Sequence, residues 1–96
     1  MYSDLDPLLH SQLRLAIISM LVGSEKIEFT HIQNETKAAA GNISIQIKKL
    51  EDAGYIKVEK TFKNNYPNTM LSITDKGIKA FESYVTNLKK YLYPKD

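Results

Sequence analysis

The chain has 96 residues and a formal net charge of +2, and 43% of its residues are hydrophobic while none is cysteine. This length suits one domain, and the hydrophobic content excludes an intrinsically disordered chain. The lack of cysteine excludes disulfides, thiolate metal sites and cysteine-based redox sensing. Residues 1–23 contain an apolar run but no basic leader, so we expect a soluble cytoplasmic protein without a signal peptide or a membrane span.

The first predicted element is a helix over residues 6–22. Asp6 suits the capping position, and Pro7 suits the first turn. The apolar residues of this segment occupy two faces, one with Leu13, Ile17, Met20 and Leu21 and the other with Leu8, Leu15, Ile18 and Val22. A helix that is apolar on two faces packs on two sides. We therefore expect one side in the core of the domain and the other against a partner.

Two short helices follow a predicted edge strand at 26–29. The first spans 31–37 and is capped by Thr30, and a turn over 38–41 leads to the second at 42–53. Gly54 is expected to end this second helix, because glycine adopts a positive φ without strain. The second helix has two distinct faces: Ile43, Ile47 and Leu50 form the inner one, while Ser44, Ile45, Lys48, Lys49 and Asp52 lie opposite.

The second half of the chain predicts a hairpin and a long helix. Apolar and charged residues alternate over 56–62, which is typical of a half-buried strand, and 70–73 forms the return strand. The polar, asparagine-rich segment between them predicts a loop of about six residues. Thr74 then caps a helix over 75–93, whose apolar residues form a seam with steps of three and four: Ile78, Phe81, Val85, Leu88 and Leu92.

Charge is distributed unevenly along the chain. Residues 1–36 carry two basic residues against five acidic ones, whereas residues 37–63 carry six lysines against three acids. A local basic face attracts phosphates, although a solvated lysine face is the alternative interpretation. The basic block coincides with the second short helix and the strand after it.

Two short helices joined by a tight turn and followed by a hairpin predict an α+β, mostly helical winged helix-turn-helix domain that spans residues 1–96. Three segments carry a family resemblance: FTHIQNETKAAAGNISIQIKKLEDAGYIKVEKTF, YPNT and LSITDKG. Through these segments the chain resembles small winged-helix transcriptional regulators of the MarR/ArsR type, especially short single-domain forms common in archaea. The similarity extends over roughly residues 5–93.

The resemblance implies a homodimer that binds double-stranded DNA sequence-specifically and regulates transcription. Helix 42–53 would enter the major groove, the hairpin 56–73 would form the wing, and helices 6–22 and 75–93 would hold the dimer. The candidate DNA-binding residues are Asn42, Ser44, Ile45, Gln46, Lys48, Lys49, Lys63, Asn65 and Asn68. The candidate dimer-interface residues are Leu8, Leu15, Ile18, Phe81, Tyr84, Val85, Leu88, Tyr91 and Leu92.

Several alternatives stay open at this point. Gln46 lies nearer the buried side, so it either packs or reads DNA, and Tyr84, Tyr91 and Tyr93 either pack or line an effector pocket. The wing lacks the arginines usual in the family, since Arg14 is the only arginine of the chain. This bare wing and the exposed Ile45 favour a second function, a protein-interaction module of a larger transcription or chromosome complex.

Metal binding and catalysis are not expected. His10 and His31 are isolated and have no cysteine or acidic cluster beside them. The sequence contains no phosphate-cradling glycine loop and no nucleophile with a supporting motif. We therefore expect neither a cofactor nor an enzyme.

Overall fold

The fold contains four helices and one small sheet. A computed structural model describes residues 2–94 of the chain. Its elements are α1 (Gln12–Val22), β1 (Ile27–Glu28), α2 (Phe29–Thr36), α3 (Ala40–Asp52), β2 (Ile56–Lys63), β3 (Tyr66–Ile73) and α4 (Asp75–Leu92). The strands are antiparallel and lie in the order β1-β3-β2. This arrangement confirms the predicted winged helix-turn-helix.

The core lies where one apolar face of each of the first three helices meets the sheet. The side chains that are completely buried are Leu9, Ile17, Ile18, Leu21, Ile32, Ile43, Leu50 and Leu71. Burying such a side chain stabilises the fold by about 1.5–3 kcal/mol. The predicted inner face of α3 is confirmed, because Ile43, Ile47 and Leu50 are all buried. Within residues 2–94, no helix has the length and apolar character to cross a membrane.

Helix α1 begins at Gln12, so the predicted start at residue 6 is wrong. Asp6 instead holds a separate turn, in which its Oδ1 accepts a hydrogen bond from the backbone N–H of Leu8 at 2.9 Å. Its Oδ2 accepts a hydrogen bond from the Tyr55 hydroxyl at 2.5 Å. The pKa of the Tyr55 hydroxyl is raised to about 12, chiefly by burial and next by this hydrogen bond. A contact between residues far apart in sequence therefore keeps Asp6 away from the cap of α1.

The boundaries around α2 also differ from the prediction. Strand β1 ends at Glu28 and α2 begins at once with Phe29, so Thr30 lies inside the helix and does not cap it. Lys37 adopts the left-handed conformation, with φ 60°, and ends α2. Helix α3 then starts at Ala40, two residues earlier than predicted, because alanine favours helix.

The hairpin is tighter and longer than predicted. Its turn consists of Asn64 and Asn65 alone, with φ values of 53° and 67°, and Lys63 pairs directly with Tyr66. Two-residue hairpin turns of type I′ need positive φ at both central positions, which asparagine tolerates. The predicted six-residue loop is therefore wrong, and Pro67 is part of β3. Since β1 pairs only with Leu71 and Met70, Pro67 lies on a free edge, where its missing N–H costs nothing.

Helix α4 begins as predicted. The Thr74 side chain caps it by accepting a hydrogen bond from the backbone N–H of Gly77 at 3.0 Å. The N-terminal residues lie along its far end, where the Tyr91 hydroxyl donates to the Ser3 carbonyl at 2.7 Å. The rings of Tyr2 and Tyr91 are 4.9 Å apart. The segment before α1 is thus attached to α4.

Candidate nucleic-acid interface

Helix α3 presents one polar face to solvent because its other face is embedded in the core. Asn42, Ser44, Lys48 and Lys49 are all exposed on it. Ile45 is 57% exposed, so it does not contribute to the core. Gln46 is half-buried at the edge of this face. The structure thus places all six candidates of the second helix on one side of α3 or at its edge.

The two lysines of α3 differ in their surroundings. Lys48 Nζ lies 2.9 Å from Asp52 Oδ1, one turn further along the helix. The hydrogen bond to Asp52, together with the charge of this carboxylate, raises the pKa of Lys48. Lys49 forms no ion pair with any residue of the described part, 2–94. Its ammonium group is therefore the more available of the two for an external anion.

A chain of hydrogen bonds connects α1 to the start of α3. Arg14 Nη1 donates to Gln46 Oε1 at 2.5 Å, and Gln46 Nε2 donates to Asn42 Oδ1 at 2.9 Å. Arg14 Nε also donates to the Leu8 carbonyl at 2.6 Å. We call Arg14, Gln46 and Asn42 the amide relay. Both polar groups of Gln46 are used inside the protein, which favours a structural role for this residue over direct contact with DNA.

Sequence reasoning missed the role of Arg14. The signal was present, since Arg14 is the only arginine of the chain and lies within a largely apolar helix. A guanidinium group in such a place needs acceptors nearby. Periodicity does not say which residues supply them, because Gln46 is 32 positions away.

The wing candidates are not equivalent. Lys63 Nζ pairs with Glu28 Oε1 at 3.0 Å, and the half-buried Asn68 contacts Met70 through its side chain. Asn65 is exposed at the tip. The most exposed large side chains of the wing are Phe62 and Tyr66, at 77% and 74%. Sequence reasoning did not select them, because Phe62 ends the predicted half-buried strand 56–62 and Tyr66 lies in the predicted loop.

An open cleft of about 600 Å³ separates α3 from the wing. Its lining combines the apolar side chains of Phe29, Ile47 and Val58 with the charged side chains of Lys48, Glu51 and Lys60. Charges of both signs therefore lie between the helix and the wing.

The candidate dimer residues lie in three different environments. Leu15, Phe81, Val85 and Leu88 are half-buried and line an apolar groove of about 420 Å³ between α1 and α4. Tyr91 and Leu92 are exposed near the end of α4, and Leu8 is half-buried against the core. Ile18 is completely buried within its own chain, so its assignment to an interface is corrected. Tyr84 is likewise only 4% exposed, and its hydroxyl lies 3.0 Å from His10 Nδ1 of the same chain, so its assignment to an interface is corrected too.

Among residues 2–94, no group of three or more His, Asp or Glu side chains is placed to hold a metal ion. His10 lies beside Tyr84, and the exposed His31 is on α2.

Comparisons with known proteins agree with this geometry. Residues 13–92 match the family model described as "Winged helix DNA-binding domain". The chain is 32% identical over 76 residues to an uncharacterized protein of Methanocaldococcus jannaschii, with 79% of this chain and 83% of that protein aligned.

Two solved structures show the same fold. A transcriptional regulator homologue from Pyrococcus horikoshii OT3 superposes with a TM-score of 0.84 and 29% identity, covering 93% of this chain and 88% of that one. PadR of Bacillus subtilis, solved in complex with operator DNA, superposes with a TM-score of 0.70 and 23% identity, covering 78% of this chain and 47% of that one. The second likeness concerns the fold alone.

Proposed function

The chain belongs to the winged helix DNA-binding domain family, and from this we propose that it is a homodimeric, sequence-specific regulator of transcription. Helix α3 would enter the major groove and the β2–β3 hairpin would lie beside it as a wing. The observation that carries this proposal is the exposed polar face of α3, on which Lys49 has no ion pair with any residue of 2–94. The family is defined by DNA binding and not by catalysis, in agreement with the expectation that the chain is not an enzyme.

The groove between α1 and α4 supports the dimer. Its half-buried leucine, valine and phenylalanine side chains form a long apolar surface that a second copy would cover. Two α3 helices related by a two-fold axis would read half-sites about 34–36 Å apart, one turn of DNA. The MarR/ArsR type remains a prediction.

The first test is fluorescence anisotropy of a labelled duplex of about 30 base pairs, titrated with the protein at 50–200 mM salt. We expect binding that weakens steeply with salt, because phosphate contacts release counterions. Random-sequence and selected duplexes should share this salt dependence but differ in affinity. Binding that is absent even at 50 mM salt would contradict the proposed function.

Lys49→Ala is expected to make the fall of log affinity with log salt concentration less steep. The magnitude of the slope should decrease by about one per subunit, hence by about two for a dimer. The reason is that each Lys49 contacts one phosphate. The same anisotropy titration measures the slope. Lys79→Ala, an exposed lysine on α4, removes equal charge away from α3 and serves as the control. Equal slopes for Lys49→Ala and wild type would show that Lys49 contacts no phosphate of the DNA.

Asp52→Asn is expected to tighten binding roughly two- to fivefold at 100 mM salt, the range that corresponds to one exposed ion pair. The substitution removes a carboxylate from the DNA-facing side and releases Lys48 from its pair. Glu82→Gln on α4 makes the same charge change elsewhere and should leave affinity unaltered. Weaker binding by Asp52→Asn would mean that Asp52 positions Lys48 for its contact.

A second function is favoured by a different set of side chains. Phe62, Tyr66 and Ile45 are strongly exposed, and exposed apolar side chains are typical of protein-interaction surfaces. The chain would then be a winged-helix module of a larger transcription or chromosome complex. The salt titration separates the two functions, because a protein-interaction module has no need of a phosphate-binding face.

A further inference from the structure

The amide relay connects the half-buried Arg14 of α1 with the exposed face of α3. We propose that Arg14 is a specificity-determining positioning residue that fixes the side-chain amide of Asn42, so that Asn42 offers hydrogen-bond donors to the major groove. This inference rests on the proposed function, and it assigns Arg14 a part in choosing which bases the protein accepts.

The direction of the relay follows from the chemistry of arginine. A guanidinium group has only donors, so the atom of Gln46 that faces Arg14 is the carbonyl oxygen Oε1. The amide nitrogen of Gln46 must then point the other way, toward Asn42. The Oδ1 atom of Asn42 accepts this bond, which leaves its Nδ2 group turned away from Gln46. One arginine thus sets the orientation of two amides.

Arg14 is held in place at its own end. Its Nε donates to the carbonyl of Leu8, in the turn that the Asp6 side chain holds. Asp6 is itself bonded to Tyr55 across the domain. A planar guanidinium already held through its Nε loses little further freedom when its Nη1 binds Gln46. The guanidinium group from which the amide relay starts is therefore held in place by the turn before α1.

Asn42 lies in the first turn of α3 and is exposed. The N-terminal residues of a recognition helix are those that contact base edges in the major groove. A donor group from Asn42 matches the acceptors N7 and O6 of guanine, N7 of adenine or O4 of thymine. Cytosine presents the N4 donor instead, so we expect cytosine to be disfavoured there by roughly five- to a hundredfold.

Gln46→Glu tests this assignment, because it keeps the size and shape of the side chain at residue 46 and reverses the orientation of the Asn42 amide. A carboxylate has only acceptors: one oxygen still binds Arg14 while the other faces Asn42. The Asn42 amide must then turn its NH₂ group inward and its oxygen toward the groove. The preferred base at this position should change from one that offers an acceptor to cytosine, which offers the N4 donor; adenine offers both N7 and N6 and does not distinguish the two orientations.

The experiment selects preferred sites from a randomised duplex pool for wild type and Gln46→Glu. Anisotropy competition with single-base variants of the wild-type site then quantifies the change. The added charge weakens binding to every sequence, so the ratio between bases is the informative quantity. The double variant Asn42→Ala with Gln46→Glu carries the same charge without the amide, and it should show no preference at that position.

Arg14→Met provides a second, independent test, because it retains an unbranched side chain and removes the donors. We expect the base preference to broaden only at the base pair that Asn42 contacts. The slope of log affinity against log salt should stay unchanged, since the proposal gives Arg14 no phosphate contact. Thermal melting monitored by circular dichroism verifies that each variant is folded. A general loss of affinity without a change in preference would indicate a purely structural role and would overturn the inference.

The outcomes also separate this inference from the proposed function. If wild type selects a site and both relay variants retain its preference at every position, the inference fails while the proposed function stands. If wild type binds no duplex at any salt concentration, both fail. A reversed preference in Gln46→Glu, absent from the double variant, would establish the relay.

Discussion

Gly77→Ala is expected to lower the free energy of unfolding by about 2–3 kcal/mol, at the upper end of the cost of overpacking. A Cβ atom at this position would lie 2.2 Å from the carbonyl oxygen of Tyr55 and 2.8 Å from Cγ1 of Ile73. The Tyr55 carbonyl cannot easily withdraw, because it accepts a hydrogen bond from the Thr74 N–H at 3.0 Å. Glycine at residue 77 therefore lets α4 start against the end of β3.

Thermal melting measures this effect, and a loss of that size lowers the melting temperature by roughly 10–20 °C for a domain of this length. Gly41→Ala in α3 is the matched control, since no atom lies within 4 Å of its added Cβ. Alanine is a better helix former than glycine, so this control should be as stable as wild type or more stable by up to about 1 kcal/mol. Similar melting of Gly77→Ala and wild type would mean that α4 lies further from Tyr55.

Leu88→Glu is expected to convert the protein from a dimer to a monomer of 10.9 kDa. Leu88 lines the apolar groove between α1 and α4 together with Leu15 and Phe81. A carboxylate there would have to be buried without a partner if a second copy covered the groove, which costs several kcal/mol. Sedimentation equilibrium measures the mass, and anisotropy should show DNA affinity reduced by on the order of a hundredfold, because bivalent binding is lost.

Thr86→Glu is the control for this variant. Thr86 is exposed on the same helix and outside the groove, so the added charge stays in water. It should sediment as wild type does. A dimer mass for Leu88→Glu would exclude the groove as the interface, and a monomer mass for wild type would contradict the homodimer itself.

The order of helices and strands was predictable because each element has a strong local signal. Ile43, Ile47 and Leu50 mark one face of α3 by spacing alone, and all three are buried as expected. Gly54 ends this segment with a φ of 81°, and Thr74 caps α4 through its side chain. Periodicity and capping act over a few residues, so a reader of the sequence can find them.

The hairpin turn was mispredicted although its signal was local. Asn64 and Asn65 suit a two-residue turn with positive φ, but Pro67 suggested that the strand had not resumed. Proline is accepted there because β1 does not extend that far along β3. The order of the strands in the sheet, which depends on the whole domain, therefore decides whether Pro67 can belong to β3 and whether the turn can be only two residues long.

The exposed face of α3 and the position of its two lysines follow from residues that the printed sequence already arranges at helical spacing. Where α1 begins and how Gln46 is used do not follow from such spacing, whereas the i, i+4 pair Lys48–Asp52, which leaves Lys49 without an ion pair in residues 2–94, does. Asp6 meets Tyr55 at a separation of 49 residues, and Arg14 meets Gln46 at 32. A hydrogen bond needs its two atoms within about 3 Å, and only the packing of α1 and of the turn before it against the rest of the domain brings such distant groups together.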